Sequence, residues 1–326
     1  MTVQVLFFIV GLLLLYFGAE WLVKGSSNLA RSLGLSPIVI GLTVVAFGTS
    51  APELVVSLLS SIKDRSMIAV GNVIGSNICN IALVLGLAAT LQPIRTQCSV
   101  VKKDIPVMLG ISVYLLLISL NSTIGRFEGV TLFAGIVLYT WYNYSSAVGR
   151  SVSSSDAAGS DCDISTERIE LVDSRSRQIL FIVSGIAGVV FGADLLINSA
   201  VAMMKALGVS EKFIGLTVVA LGTSLPELAT SVVAALRKEM DISIGNLVGS
   251  NVFNILSVLG AASMVRPIPI PGGFAASGLV IDYLVMIAVS MLPWLMMRKK
   301  PVVTRMHGIM LLCVYAGYVG WLILKS

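Results

Sequence analysis

Gly41-Leu42-Thr43-Val44-Val45-Ala46-Phe47-Gly48-Thr49-Ser50-Ala51-Pro52-Glu53 returns 174 residues later as Gly215-Leu216-Thr217-Val218-Val219-Ala220-Leu221-Gly222-Thr223-Ser224-Leu225-Pro226-Glu227. The match runs on without a gap. Between residues 40–86 and 214–260, 25 of 47 positions are identical, so the two halves share one structural unit. A bilayer-spanning helix takes about 20 apolar residues. Apolar stretches tile the chain into ten such spans, at about 3–23, 37–61, 67–91, 105–121, 124–145, 178–204, 213–236, 242–265, 276–297 and 303–324. Each unit holds five, an odd number, so the second enters the membrane from the opposite side. The expected fold is an all-α membrane protein of ten transmembrane helices in two inverted five-helix repeats, residues 1–145 and 178–326, joined by a polar linker at 146–177. Inverted repeats are a common build of secondary transporters, with the substrate site near the midplane where the units meet.

Composition agrees. Of the 326 residues 56% are hydrophobic and 12% charged, with a mean hydropathy of +0.94, which excludes a soluble globular enzyme. Outer-membrane barrels alternate apolar and polar residues, whereas runs such as Leu12 to Leu15 and Tyr114 to Ile118 are apolar on every face. The first apolar run is not a signal peptide by this reading, because its tail Phe17-Gly18-Ala19-Glu20 recurs as Phe191-Gly192-Ala193-Asp194. The formal charge of +5 does not point to nucleic acid, because its distribution follows the membrane. Fifteen Lys and Arg residues, among them Arg31, Lys102, Arg237 and Arg298, fall on one side and seven on the other. The positive-inside rule then places both termini outside and the linker in the cytoplasm. The lack of a long targeting peptide points to a prokaryotic plasma (cell inner) membrane.

Four cysteines (Cys79, Cys98, Cys162 and Cys313) lack metal-ligand or close pairing spacing, and His307 is the sole histidine, so no disulfide framework, zinc site or resident cofactor is expected. The acids of the linker, as in Asp161-Cys162-Asp163, lack the EF-hand spacing and read as a solvated connector. No phosphate-binding Gly-x-x-x-x-Gly-Lys-Ser/Thr loop, His-Glu-x-x-His or Ser/His pairing is present, so neither ATP-driven transport nor enzymatic activity is expected.

The chemistry concentrates in a few residues. Glu20, Glu53, Asp194 and Glu227 are ionisable side chains within the spans, where a charge costs about 2.5–3.5 kcal/mol on insertion scales and marks function by default. Glu20 and Asp194 lie near predicted span ends and have local capping or pairing as an alternative role. In the repeated motif, Pro52 and Pro226 clash with the carbonyls of Gly48 and Gly222, and the adjacent Gly, Thr and Ser let the helix break. Irregular backbone at membrane depth is tolerated where it lines a polar cavity, and carbonyl, hydroxyl and carboxylate oxygens suit hard cations. Each motif reads as half of a cation site. The following span adds Gly71-Asn72-Val73-Ile74-Gly75-Ser76-Asn77 with Asn80, and Gly245-Asn246-Leu247-Val248-Gly249-Ser250-Asn251 with Asn254. Their paired glycines form the small-xxx-small pattern of close helix contacts. Ser76 and Asn80, four apart, share one helical face, as do Ser250 and Asn254. Asn72, Asn77, Asn246 and Asn251 project elsewhere and suit hydrogen bonds between helices. Gly11, Gly18, Gly185 and Gly192 suit either close packing or sliding of the first and sixth spans.

These segments resemble the alpha repeats of the calcium/cation antiporter superfamily, specifically the prokaryotic sodium/calcium exchangers, over nearly the whole chain. The resemblance implies that Glu53 and Glu227 are shared by calcium and sodium, and that the Thr49 and Thr223 carbonyls help hold calcium. It implies flanking sodium sites at Ala46, Thr49, Ser50 and Ser76 on one side and Ala220, Thr223, Ser224 and Ser250 on the other, with Asn80 and Asn254 lining the middle. Some members carry Asp where this chain has Asn254, which leaves the net charge of the centre, the stoichiometry, and proton or potassium coupling open. The expected function is sodium-driven calcium antiport by alternating access. The rivals are a calcium/proton exchanger using the same glutamates and a cation channel sharing the oxygen ligands.

Overall fold

The computed structural model describes residues 2–153, 174–207, 220–275 and 277–325. Most of the expected linker and residues 208–219, which open the second copy of the motif, lie outside the described residues. The helices are α1 (Thr2–Ser32), α2 (Pro37–Thr49), α3 (Ala51–Ile62), α4 (Ser66–Leu91), α5 (Ile105–Ser119), α6 (Arg126–Ser153), α7 (Arg175–Ala206), α8 (Leu225–Leu236), α9 (Met240–Val265), α10 (Leu279–Met297) and α11 (Arg305–Lys325), with a single turn, Ala220–Gly222, before α8. Among the described residues, α1, α4, α7, α9, α10 and α11 are long and apolar enough to cross a membrane. The α2–α3 pair, bent by 47°, adds a seventh if counted as one broken span. α5 has 15 residues, and α6 is diluted by its Trp141-Tyr142-Asn143-Tyr144 run.

α4 and α9 form the centre. In their most apolar stretches 72% and 78% of residues are buried, against 28% in both α1 and α7 and 11% in α11. Val73, Ile78, Ile81 and Leu85 of α4 and Leu247, Val252, Ile255 and Leu259 of α9 join one hydrophobic core. α1 instead turns Leu6, Leu12, Leu13, Phe17 and Trp21 outward. A helix with that much apolar outer surface is solvated by lipid.

α1 and α7, equivalent under the 174-residue shift, lie against each other and run antiparallel. Gly11 faces Gly192 and Leu196, Gly18 faces Gly188 and Val189, and Gly25 faces Gln178 and Ile182. These glycines pack closely: a Cβ built on Gly18 would stand 2.7 Å from the Gly188 carbonyl carbon, and one on Gly185 2.5 Å from the Leu22 nitrogen. This contact also lengthens α1. Hydropathy falls after about residue 23, yet the helix runs to Ser32 because Gly25 packs on α7 and Ser26 and Ser27 are buried. α6 likewise continues to Ser153, inside the segment read as linker, and α7 starts within it at Arg175.

Two short antiparallel ribbons clasp the halves at opposite ends of α5. β1 (Ile94–Arg95) pairs with β4 (Val302–Val303), and β2 (Thr123–Ile124) with β3 (Ile268–Pro269). The first strand of each half thus pairs with the last strand of the other, an exchange that respects a pseudo-twofold relation.

Gly185→Val is expected to push α1 from α7 and cost about 1–3 kcal/mol of stability, read as a lower melting temperature in detergent. Gly317→Ala, where nothing lies within 4 Å of an added Cβ, is expected to melt as the parent does. Equal melting of both variants would contradict the tight α1–α7 contact.

Candidate cation site

The Pro-Glu end of the repeated motif starts a helix in both copies. α2 ends at Thr49, Ser50 donates its N–H to the Ala46 carbonyl at 3.0 Å, and α3 begins at Ala51. α8 begins in the same way after Ser224. The helix breaks at this motif, as the sequence suggested, and the proline does not kink a continuous helix. It is the second residue of a new one, where its missing N–H is among the groups left unpaired in any case. Glu53 and Glu227 therefore fall in the first turns of α3 and α8, where the partial positive charge of a helix N-terminus favours a carboxylate.

The two helix starts face each other across the halves. Ser50 Oγ donates to Glu227 Oε1 at 3.0 Å, Ser224 Oγ to Glu53 Oε1 at 3.5 Å, and Ser76 Oγ of α4 to Glu53 Oε1 at 3.3 Å. Thr49 Oγ1 and Ser250 Oγ of α9 stand 3.5 Å apart. Thr49, Ser50, Glu53, Ser76, Asn80, Ser224, Glu227, Ser250 and Asn254 are all buried, both glutamates completely. Eleven of the twelve residues expected at the site are thus described with their side chains, Thr223 being half-buried and Ala46 fully buried. The Ala46 carbonyl accepts the Thr49 hydroxyl at 3.4 Å. Ala220 lies in the turn before the second break, and its side chain is outside the described residues.

Four oxygens at the centre have no hydrogen-bond partner: Glu53 Oε2, Glu227 Oε2, Asn80 Oδ1 and Asn254 Oδ1. Each is a pure acceptor. A buried acceptor left unsatisfied costs on the order of 1–3 kcal/mol, more when charged. Four such oxygens, two of them on carboxylates, suit a hard cation. Among the described residues no cluster of three or more His, Cys, Asp or Glu exists, so a cation held here relies on hydroxyls, amides and carbonyls beside the two acids.

A second ring holds these groups. Thr49 Oγ1 donates to Asn246 Oδ1 at 3.0 Å, and Thr223 Oγ1 to Asn72 Oδ1 at 3.3 Å, each pair crossing between halves. Asn72 Nδ2 anchors to Ser57 Oγ and the Glu53 carbonyl, and Asn246 Nδ2 to Ser231 Oγ. The interhelical role expected of these asparagines is present. Wide π turns begin at Asn80 and at Asn254, spanning Asn80–Leu85 and Asn254–Leu259. Such turns recur at functional sites, and no residue pattern in the chain announced them.

Glu20 and Asp194 do not join the chamber. Glu20 pairs with Arg237 at the end of α8, and Asp194 is exposed on α7. Asp282 of α10, passed over in the sequence, accepts from Tyr318 Oη at 2.9 Å and belongs to the α10–α11 contact. Gly245 and Gly249 press on α2, with built Cβ atoms 2.9 Å from the Ile38 carbonyl oxygen and 2.7 Å from that of Leu42. The residues equivalent to this stretch of α2, 212–219, lie outside the described residues.

Residues 3–145 and 177–324 match the family model described as "Sodium/calcium exchanger protein". The inner membrane protein YrbG of Escherichia coli is 34% identical, over 96% of this chain and 94% of its own. The sodium/calcium exchanger MaX1 of Methanosarcina acetivorans is 31% identical over 97% of each. A solved structure of the sodium-calcium exchanger NCX_Mj, soaked with Na+ and Ca2+, is similar with a TM-score of 0.82 at 32% identity, over 98% of each chain.

Calcium at a hundredfold excess over its Kd is expected to stabilise the detergent-solubilised protein by about 2.7 kcal/mol. In Glu53→Gln and Glu227→Gln, which keep shape and lose charge, that stabilisation is expected to vanish while the calcium-free melting temperature holds. Undiminished stabilisation in either variant would remove this chamber as the site.

Proposed function

The chain belongs to the sodium/calcium exchanger protein family, and from that premise we propose that it is a secondary antiporter in which inward sodium drives calcium outward by alternating access. The observation that carries this is the pair of fully buried glutamates, one from each half, each with an unpartnered oxygen in the same chamber. Two carboxylates neutralise one calcium ion. The same two carboxylates cannot hold calcium and sodium together, and this competition couples the fluxes.

In this proposal Glu53 and Glu227 serve both ions, and the Thr49 and Thr223 carbonyls add to the calcium shell. Sodium occupies flanking positions at Ala46, Thr49, Ser50 and Ser76 and at Ala220, Thr223, Ser224 and Ser250, with Asn80 and Asn254 in the middle. The chamber draws its oxygens from both halves, and alternating access would come from movement of α1 and α7, the first and sixth spans, against the remaining bundle. Ten spans in two inverted repeats, with both termini outside and the linker cytoplasmic, are the architecture we assign. The antiparallel packing of α1 on its equivalent α7 supports the inversion.

Energetics bear on stoichiometry. For a tenfold sodium gradient each ion supplies about 1.4 kcal/mol, and one net charge crossing 100 mV adds about 2.3. Three sodium ions per calcium therefore supply about 6.5 kcal/mol, and two supply about 2.8. The amides at Asn80 and Asn254 keep a calcium/proton exchanger as the second reading, because the two glutamates are then the only acids at the centre able to carry protons.

Uptake of calcium-45 into proteoliposomes, with sodium, potassium or proton gradients imposed one at a time, is expected to follow the sodium gradient. Uptake that needs a pH gradient and ignores sodium would replace sodium with protons as the coupling ion. Flux without any counter-ion on the opposite face would indicate a channel.

A further inference from the structure

Two asparagines outside the assigned ligand set sit where the halves meet. Asn77 of α4 and Asn251 of α9 are equivalent under the 174-residue shift, stand three residues before Asn80 and Asn254, and are both buried. Each donates its Nδ2 to the other's backbone carbonyl at 3.3 Å, and Asn77 Nδ2 also meets the Met286 sulfur at 3.8 Å. A backbone carbonyl only accepts, so the amide edge turned toward it has to be the NH2 edge. The Oδ1 of each therefore points the other way, where it accepts from the chamber asparagine of the opposite half. Asn254 Nδ2 reaches Asn77 Oδ1 at 3.1 Å, and Asn80 Nδ2 reaches Asn251 Oδ1 at 3.2 Å. An amide oxygen also only accepts. Asn254 and Asn80 are thus obliged to spend NH2 on it, which leaves their own oxygens unpartnered.

We propose that Asn77 and Asn251 are positioning residues that decide, crosswise between the halves, which edge the central amides show to the cation. The oxygen and NH2 edges of an asparagine have nearly the same size, so shape alone does not choose between them. A cation is drawn to the oxygen and repelled by NH2. The chain of donors and acceptors starts at two backbone carbonyls, whose polarity cannot be reversed, and passes that polarity outward through two amides. The oxygens are thereby oriented before any ion arrives, and no binding energy is spent on turning them. The inference rests on the proposed role of Asn80 and Asn254 as lining ligands.

The test is a crossed comparison in the full-length protein reconstituted in proteoliposomes, reading the calcium concentration for half-maximal sodium-driven uptake. Asn77→Leu is expected to raise it about tenfold, the equivalent of one lost charge-assisted contact, with a smaller change in maximal rate. In an Asn254→Ala background, where the amide it orients is absent, Asn77→Leu is expected to add less than about twofold. In an Asn80→Ala background it is expected to keep its full effect, and Asn251→Leu is expected to show the opposite pattern. Equal effects of Asn77→Leu in both backgrounds would overturn the proposal in favour of general packing. If Asn254→Ala and Asn80→Ala leave uptake unchanged, the ligand assignment itself fails, and this inference with it. Asn77→Ser, whose shorter hydroxyl cannot serve both partners, carries the same comparison should the leucine variant not be recovered folded.

Discussion

Glu53 and Glu227 are fully buried, and the protein meets only half of what their charges require. One oxygen of each takes a serine hydroxyl from the facing half, that of Glu53 also Ser76 of its own half, and the other oxygen takes none. Placing such groups at full burial is costly unless a cation completes them. Much of the surrounding architecture follows from that constraint. Helices α3 and α8 start where they do so that each carboxylate sits at a favourable helix end. α4 and α9 fill the centre because they carry the hydroxyls and amides that complete the shell, and the remaining helices insulate them from lipid.

The donors are arranged in layers, and the inner layer depends on the outer. Thr49 and Thr223 are tethered to Asn246 and Asn72, which are themselves anchored to Ser231, Ser57 and the Glu53 carbonyl. The two threonine tethers cross from one half to the other, and each asparagine is anchored within its own half. Neither repeat can form a finished site by itself, which gives a physical reason for the two copies to remain alike at these positions while their lipid-facing residues diverge. The α1–α7 pair differs in kind, since glycine contacts hold it together and much of its outer surface faces hydrocarbon.

Part of this was legible in the residues. The duplicated Gly-Thr-Ser-x-Pro-Glu segments identified the two carboxylates, the helix breaks and the hydroxyls, because proline and glycine act locally and buried acids are rare in apolar spans. The four-residue spacing of Ser76 and Asn80 placed both toward the chamber, as helical periodicity demands. Glu20 and Asp194 carried the same signal of an acid in an apolar run, yet Glu20 is satisfied by Arg237, more than two hundred residues away in sequence, and Asp194 stays at the surface. No local pattern distinguishes a carboxylate with such a partner from one without. The π turns at Asn80 and Asn254 were equally silent, since they depend on what each helix packs against.

The sequence by itself therefore determined the apolar, helical character of the chain, the doubled unit and the chemical identity of the facing groups, all properties of composition and short-range spacing. Tertiary structure decided which acids meet, where α1 and α6 end, which strands clasp the halves, and which edge of each amide looks inward. Those outcomes depend on contacts between residues far apart in the chain. An asparagine written twice at the same offset carries no record of which way its oxygen points until a carbonyl from the other half arrives beside it.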